Sequence, residues 1–124
     1  MSRVLLVEDE MQLAMMVEDI LQDAGYEVCK SGRMPHALAL LSDQTFDAAI
    51  LDVNLAGVPV FPLAEALRLR GIPFVFASGY GRDGVAPEYR DYPILQKPYL
   101  PEQLLIAVSG LVAGQTPTVP SSNG

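Results

Sequence analysis

Val4-Leu5-Leu6-Val7-Glu8-Asp9-Glu10 sets four apolar residues directly ahead of three carboxylates. An apolar run this short, without polar alternation, reads as a strand buried on both faces, which is how strands of parallel sheets read. It extends back to Arg3. Four further runs belong with it, at 27–30, 48–51, 73–77 and 94–96, and most of them are apolar throughout. Between them lie segments with helical spacing. Leu13, Met16, Val17, Ile20, Leu21 and Ala24 recur at i, i+3, i+4 and predict a first helix closed by Gly25. Pro35 opens a second, with Leu38 and Leu41 expected inward, and Pro62 opens a third that runs toward Arg70 and stops at Gly71. A last helix begins near Pro101 and turns Leu104, Leu105, Val108, Leu111 and Val112 to the core. From Gly79 to Pro93 the periodicity is lost among Gly79, Gly81, Gly84 and Pro87, so a fourth helix is expected to be short or irregular. The stretch 115–124, QTPTVPSSNG, is expected to be a disordered tail, which leaves one domain over 1–114.

Strands alternating with helices give right-handed crossovers and an α/β fold with helices on both faces of a parallel sheet. Sites in such sheets lie beyond the carboxyl ends of the strands. There the first strand delivers Glu8 and Asp9, the third Asp52, the fourth Ser78 and the fifth Lys97, whereas the second delivers only Ser31 and Gly32. Three carboxylates crowded together raise one another's pKa unless a cation joins them. Hard oxygen donors suit Mg²⁺, which keeps waters for an incoming phosphate, and there is no Cys or His cluster of the kind that holds zinc. With that charge balanced, an aspartate can act as a nucleophile on phosphorus.

Composition narrows the function. The chain has 124 residues, 15 acidic against 8 basic, and a net charge of −7 with no basic cluster, which disfavours nucleic acid as a partner. Half of the residues are hydrophobic, yet no run approaches the ~20 needed to span a bilayer. One cysteine, Cys29, and an N-terminus unlike a secretory signal point to a cytoplasmic protein.

The acidic pair of VEDE, the aspartate of LDVN, the hydroxyl of FASG and the Lys-Pro of QKPY stand in one order at successive strand ends. Over residues 3–113 this resembles the receiver domain of two-component response regulators. The resemblance implies a flavodoxin-like (βα)5 three-layer sandwich with a five-stranded parallel sheet in the order 2-1-3-4-5. It implies that Asp52 is the phosphoacceptor. Mg²⁺ would be bound directly by Asp9, Asp52 and the backbone carbonyl of Asn54, and through water by Glu8. Ser78 and Lys97 would contact the phosphoryl group, and the Lys97–Pro98 peptide would be cis. The donor would be a histidine kinase or a histidine phosphotransfer protein. Such a chain is no enzyme beyond its own phosphorylation and dephosphorylation. Too few residues follow 113 for an effector domain, so the output is expected through an unknown downstream protein or by phosphorelay.

Three departures accompany the match. Ile94 stands where the family commonly has Tyr or Phe, Ala56 replaces the usual proline after the phosphoacceptor, and the interval from Ser78 to Lys97 is short. With PFVFASGYG they resemble the alphaproteobacterial subgroup named for its Phe-Ala-Thr-Gly-hydrophobic-Tyr motif (FATGUY), with Ser78 in place of Thr.

Other residues have plainer readings. Glu10 is an N-cap candidate, Cys29 a strand residue, and Met11, Met15 and Met16 helix packing. His36 falls at the start of the second helix, away from the acidic edge. Tyr80 either shields the site or packs on its loop, and Tyr99 is open. Two alternative functions compete: a small Mg²⁺-dependent phosphatase or phosphotransferase, and a phosphorylation-independent pseudo-receiver. The first needs a second Asp two residues after the nucleophile, where this chain has Asn54. The complete acidic set argues against the second.

Overall fold

The computed structural model describes residues 2–114. The expected tail at 115–124 lies outside them. Five parallel strands form the sheet: β1 (Arg3–Val7), β2 (Glu27–Ser31), β3 (Ala48–Asp52), β6 (Phe74–Ser78) and β7 (Ile94–Gln96), in the order β2-β1-β3-β6-β7. A two-stranded antiparallel hairpin, β4 (Asn54–Leu55) with β5 (Val58–Pro59), is inserted after β3. Counting the five long strands alone, the order is the expected 2-1-3-4-5 of a flavodoxin-like fold. The helices are α1 (Met11–Asp23), α2 (Met34–Asp43), α3 (Phe61–Leu69) and α4 (Pro101–Val112). Between β6 and β7 the chain makes only two short 3₁₀ turns, Gly81–Gly84 and Pro87–Tyr89, so the crossover there is irregular.

The unbroken apolar runs make sense in the layers. Leu5, Val7, Ala49, Leu51, Phe74 and Phe76 face a core shared with Ala37 and Leu41 of α2 and Leu63, Ala64 and Leu67 of α3. Their neighbours Val4, Leu6, Ala48, Ile50 and Val75 face a second core with Ala14, Val17 and Leu21 of α1 and Leu104, Val108 and Leu111 of α4. Successive side chains alternate between faces, and both faces are covered.

Two helix faces differ from expectation. Leu38 is 40% exposed, and Ala37 with Leu41 is buried instead. Met16 is 52% exposed, while Ala14, one helical turn before Val17, takes the inner position. In both helices the buried position belongs to a small alanine, and the larger side chain is exposed. Glu10 occupies the N-cap position of α1, but its side chain makes no cap hydrogen bond.

Candidate functional site

The pleat brings the charges to one edge. Strand β1 ends at Val7, and the Glu8 amide still donates to the Ser31 carbonyl of β2 at 2.9 Å, so the Glu8 side chain leaves from a fixed backbone and is buried. Asp9 follows on the exposed side. Asp52 closes β3 with its side chain 13% exposed. Carboxylate oxygens of Glu8, Asp9 and Asp52 lie within 4.8 Å of one another. Lys97, just past β7, sends Nζ into this group, 2.8 Å from Glu8 Oε1 and 3.4 Å from Asp52 Oδ2. The Lys97–Pro98 peptide is cis.

Backbone donors hold what Lys97 does not. The Glu10 amide donates to Glu8 Oε2 at 3.1 Å, and the Asn54 amide to Asp52 Oδ1 at 3.4 Å. The Ala56 amide donates to Asp9 Oδ2 at 3.1 Å. Ser78 is buried at the end of β6, one residue beyond Ala77, which is in register with Asp52. Its Oγ accepts the Tyr80 amide proton at 3.1 Å. The hydroxyl proton is left free of that bond.

One ammonium against three carboxylates leaves negative charge in excess, and Asp52 registers it. Burial first, then the Glu8 charge, raises the Asp52 pKa from 3.8 to about 7. Lys97 opposes this, and hydrogen bonding with Glu8 and Asp9 adds to it. Burial alone would lower the Lys97 pKa, but the hydrogen bond to Glu8 and the charges of Glu8 and Asp52 outweigh it and hold it above its ordinary value. Tyr99 packs beside the site, and burial, with the same two carboxylates, pushes its hydroxyl up to about 12. An all-oxygen donor set with a charge deficit fits a hard divalent cation such as Mg²⁺.

The sequence reading missed some of the neighbourhood. Gly32 is part of it: a β-carbon there would stand 3.2 Å from the Glu8 carbonyl oxygen and 3.3 Å from Asp9 Cα. The Ser31-Gly32 pair was visible at the end of β2, but not the closeness of its backbone to β1. His36 lies nearer the acidic edge than its helix position implied. It shares a cleft of about 270 Å³ with Glu8, Lys30 and Ser31, with Nδ1 2.9 Å from Ser31 Oγ. Tyr80 is 83% exposed.

Comparison with known proteins agrees with this arrangement. The response regulator receiver domain family matches residues 4–109. SdrG from Sphingomonas melonis Fr1 is 43% identical, with 90% of this chain and 97% of that one superposed at a TM-score of 0.79. The Vibrio cholerae chemotaxis protein CheY4 is 30% identical, over 90% and 98% of the two chains, with a TM-score of 0.77. The response regulator FleR of Pseudomonas aeruginosa is 32% identical over 94% of this chain but only 26% of its own length. The chain spans about half or less of the length of the curated relatives it matches. With the match covering most of the chain, and the fold and acidic edge as described, this protein belongs to the response regulator receiver domain family.

Proposed function

We propose that the chain is a phosphorylation-dependent response regulator in which Asp52 accepts a phosphoryl group from the histidine of a kinase or phosphotransfer protein. The observation that carries this is the meeting of three carboxylates with Lys97 at the strand ends. A carboxylate oxygen of Asp52 attacks phosphorus, the phosphorus–nitrogen bond of the donor breaks, and an acyl phosphate forms. Mg²⁺, held by Asp9, Asp52 and the Asn54 carbonyl with Glu8 behind it, would neutralise the charge of the incoming group. Lys97 supplies the fixed positive charge, with Glu8 orienting its ammonium. Ser78 donates its free hydroxyl proton to a phosphoryl oxygen while its lone pair keeps the Tyr80 amide.

We assign the chain to the FATGUY subgroup on the strength of PFVFASGYG, Ile94 and the short, helix-poor crossover after β6. The receiver unit is taken as 1–114 and its setting as cytoplasmic. Among the described residues no helix is long and apolar enough to cross a membrane. The output is contact with a downstream protein or relay to a further histidine. Incubation with acetyl phosphate and Mg²⁺, followed by intact mass, tests the core of this reading. The wild type should gain one phosphoryl group, and Asp52→Asn should gain none. An acyl phosphate on Asp52→Asn would place the acceptor elsewhere.

A further inference from the structure

We propose that the Ala56 backbone amide is the positioning group for Asp9, and that the β4–β5 hairpin exists at this site to hold that amide in place. Ala56 has φ +50° and Gly57 φ +88°. Two successive residues with positive φ between paired strands make the turn whose twist suits a two-residue hairpin. A non-glycine residue in this conformation is strained, and such strain persists where the surroundings enforce it. Here they do. Asn54 pairs with Pro59 and Leu55 with Val58. The Gly57 amide donates to Asn54 Oδ1 at 2.7 Å, the Val60 amide donates to the Val53 carbonyl at 3.0 Å, and Leu55 and Val60 are buried in the core. The turn so fixed aims the Ala56 amide at Asp9 Oδ2, 3.1 Å away and 47 positions earlier in the chain.

The chemistry of the bond gives it a role. Asp9 is exposed, and no ion pair to it is found among the described residues. One oxygen tied to a backbone amide fixes the orientation of a carboxylate that has an oxygen within 4.8 Å of those of Glu8 and Asp52. Hydrogen bonds behind a metal-binding carboxylate orient it, and their loss typically weakens metal binding about 10- to 100-fold. A proline at 56 could do neither job, since it has no N–H and its φ is fixed near −65°. A residue other than proline at this position is therefore what the hairpin requires.

The inference rests on reading Asp9 as a metal ligand, and the test separates the two. Mg²⁺ binding to the full chain is followed by calorimetry for the wild type, Ala56→Gly, Ala56→Pro and Asp9→Ala. Ala56→Gly keeps the amide and eases the strain, so its Mg²⁺ affinity should stay within about twofold of wild type. Ala56→Pro should lose about 10-fold or more. Unchanged affinity in folded Ala56→Pro overturns the positioning role, whereas unchanged affinity in Asp9→Ala overturns the metal reading beneath it. Amide exchange on Asp9→Ala gives a second readout that does not depend on Ala56→Pro folding. Protection at the Ala56 amide should fall there and persist in Mg²⁺-loaded wild type. Equal protection in Asp9→Ala and wild type would mean the bond is incidental.

Discussion

At the scale of single residues, the acidic edge was open to reading because a buried strand has nowhere to put a charge except its end. VLLVEDE and LDVN both change abruptly from apolar to acidic, and the structure brings Glu8, Asp9 and Asp52 together there. The Ala56 donor was not readable, because a backbone amide has the same chemistry in every residue and only conformation aims it. The raised pKa of Asp52 leads to a stability prediction. Between pH 3.8 and about 7 the folded, metal-free protein holds a proton on Asp52 that the unfolded chain has lost. Stability from this group is therefore fully present below pH 3.8, declines as pH rises toward 7, and is level above that. At about 1.4 kcal/mol per unit the whole shift would be about 4 kcal/mol, which solvent access reduces to on the order of 1–2 kcal/mol. Asp52→Asn does not titrate. In chelator it should be more stable than wild type by about that amount at pH 8, and the two should converge near pH 4. Urea unfolding across this range checks it, and a constant difference at all pH values would show that Asp52 is ionised throughout.

At the scale of elements, five strands and four helices follow from apolar spacing, but spacing alone did not choose which side chain lies innermost. Ala37 and Ala14 take positions given to Leu38 and Met16, since close packing on a sheet favours the smaller group at nearest approach. The segment after β6 was legible only as a gap, and the structure divides it. Val85 and Tyr89 are buried, Tyr89 stacks on Phe61 with centroids 5.4 Å apart, and its hydroxyl donates to Glu65 Oε1 at 3.0 Å. Arg90 Nε donates to the Val85 carbonyl at 2.9 Å. The second half is thus bound to α3 before any signal arrives. The first half rests on the ends of β6 and β7. Gln96 Nε2 donates to the Gly79 carbonyl at 3.1 Å, and a β-carbon at Gly84 would collide with Ser78 Oγ. We infer that 79–84, which lies directly against Ser78, is the part of the crossover that responds to phosphorylation. With beryllofluoride as a phosphoryl mimic, amide exchange should change at 79–84 and stay constant at 85–92. Gly84→Ala should raise exchange at 79–84 without the mimic, because the turn can no longer rest on Ser78. Changes confined to 85–92 would put the switch in the aromatic anchor instead.

At the scale of the whole molecule, the two cores lie on opposite faces of one sheet, and the site is built from the ends of β1, β3, β6 and β7. Charge at that edge therefore bears on the strands that form the centre of the fold. A chain of this size with one continuous sheet is expected to unfold in a single transition. A cation that binds only the assembled strand ends stabilises the whole fold by mass action, about 2.7 kcal/mol at 100 times its dissociation constant. The same cation favours ionised Asp52, so it also removes the decline with rising pH described above. Thermal unfolding of wild type should show both effects together. In chelator the midpoint of the wild type should fall relative to that of Asp52→Asn as pH rises from about 4 to 7. In saturating Mg²⁺ it should be higher at pH 7 than in chelator, and the Asp52-linked part of the decline should vanish. Asp52→Asn lacks both the titrating group and one ligand, so it should show a smaller Mg²⁺ shift and none of that decline. Equal Mg²⁺ shifts in wild type and Asp52→Asn would mean the ion binds away from the acidic edge, and the link between metal, proton and fold would be lost.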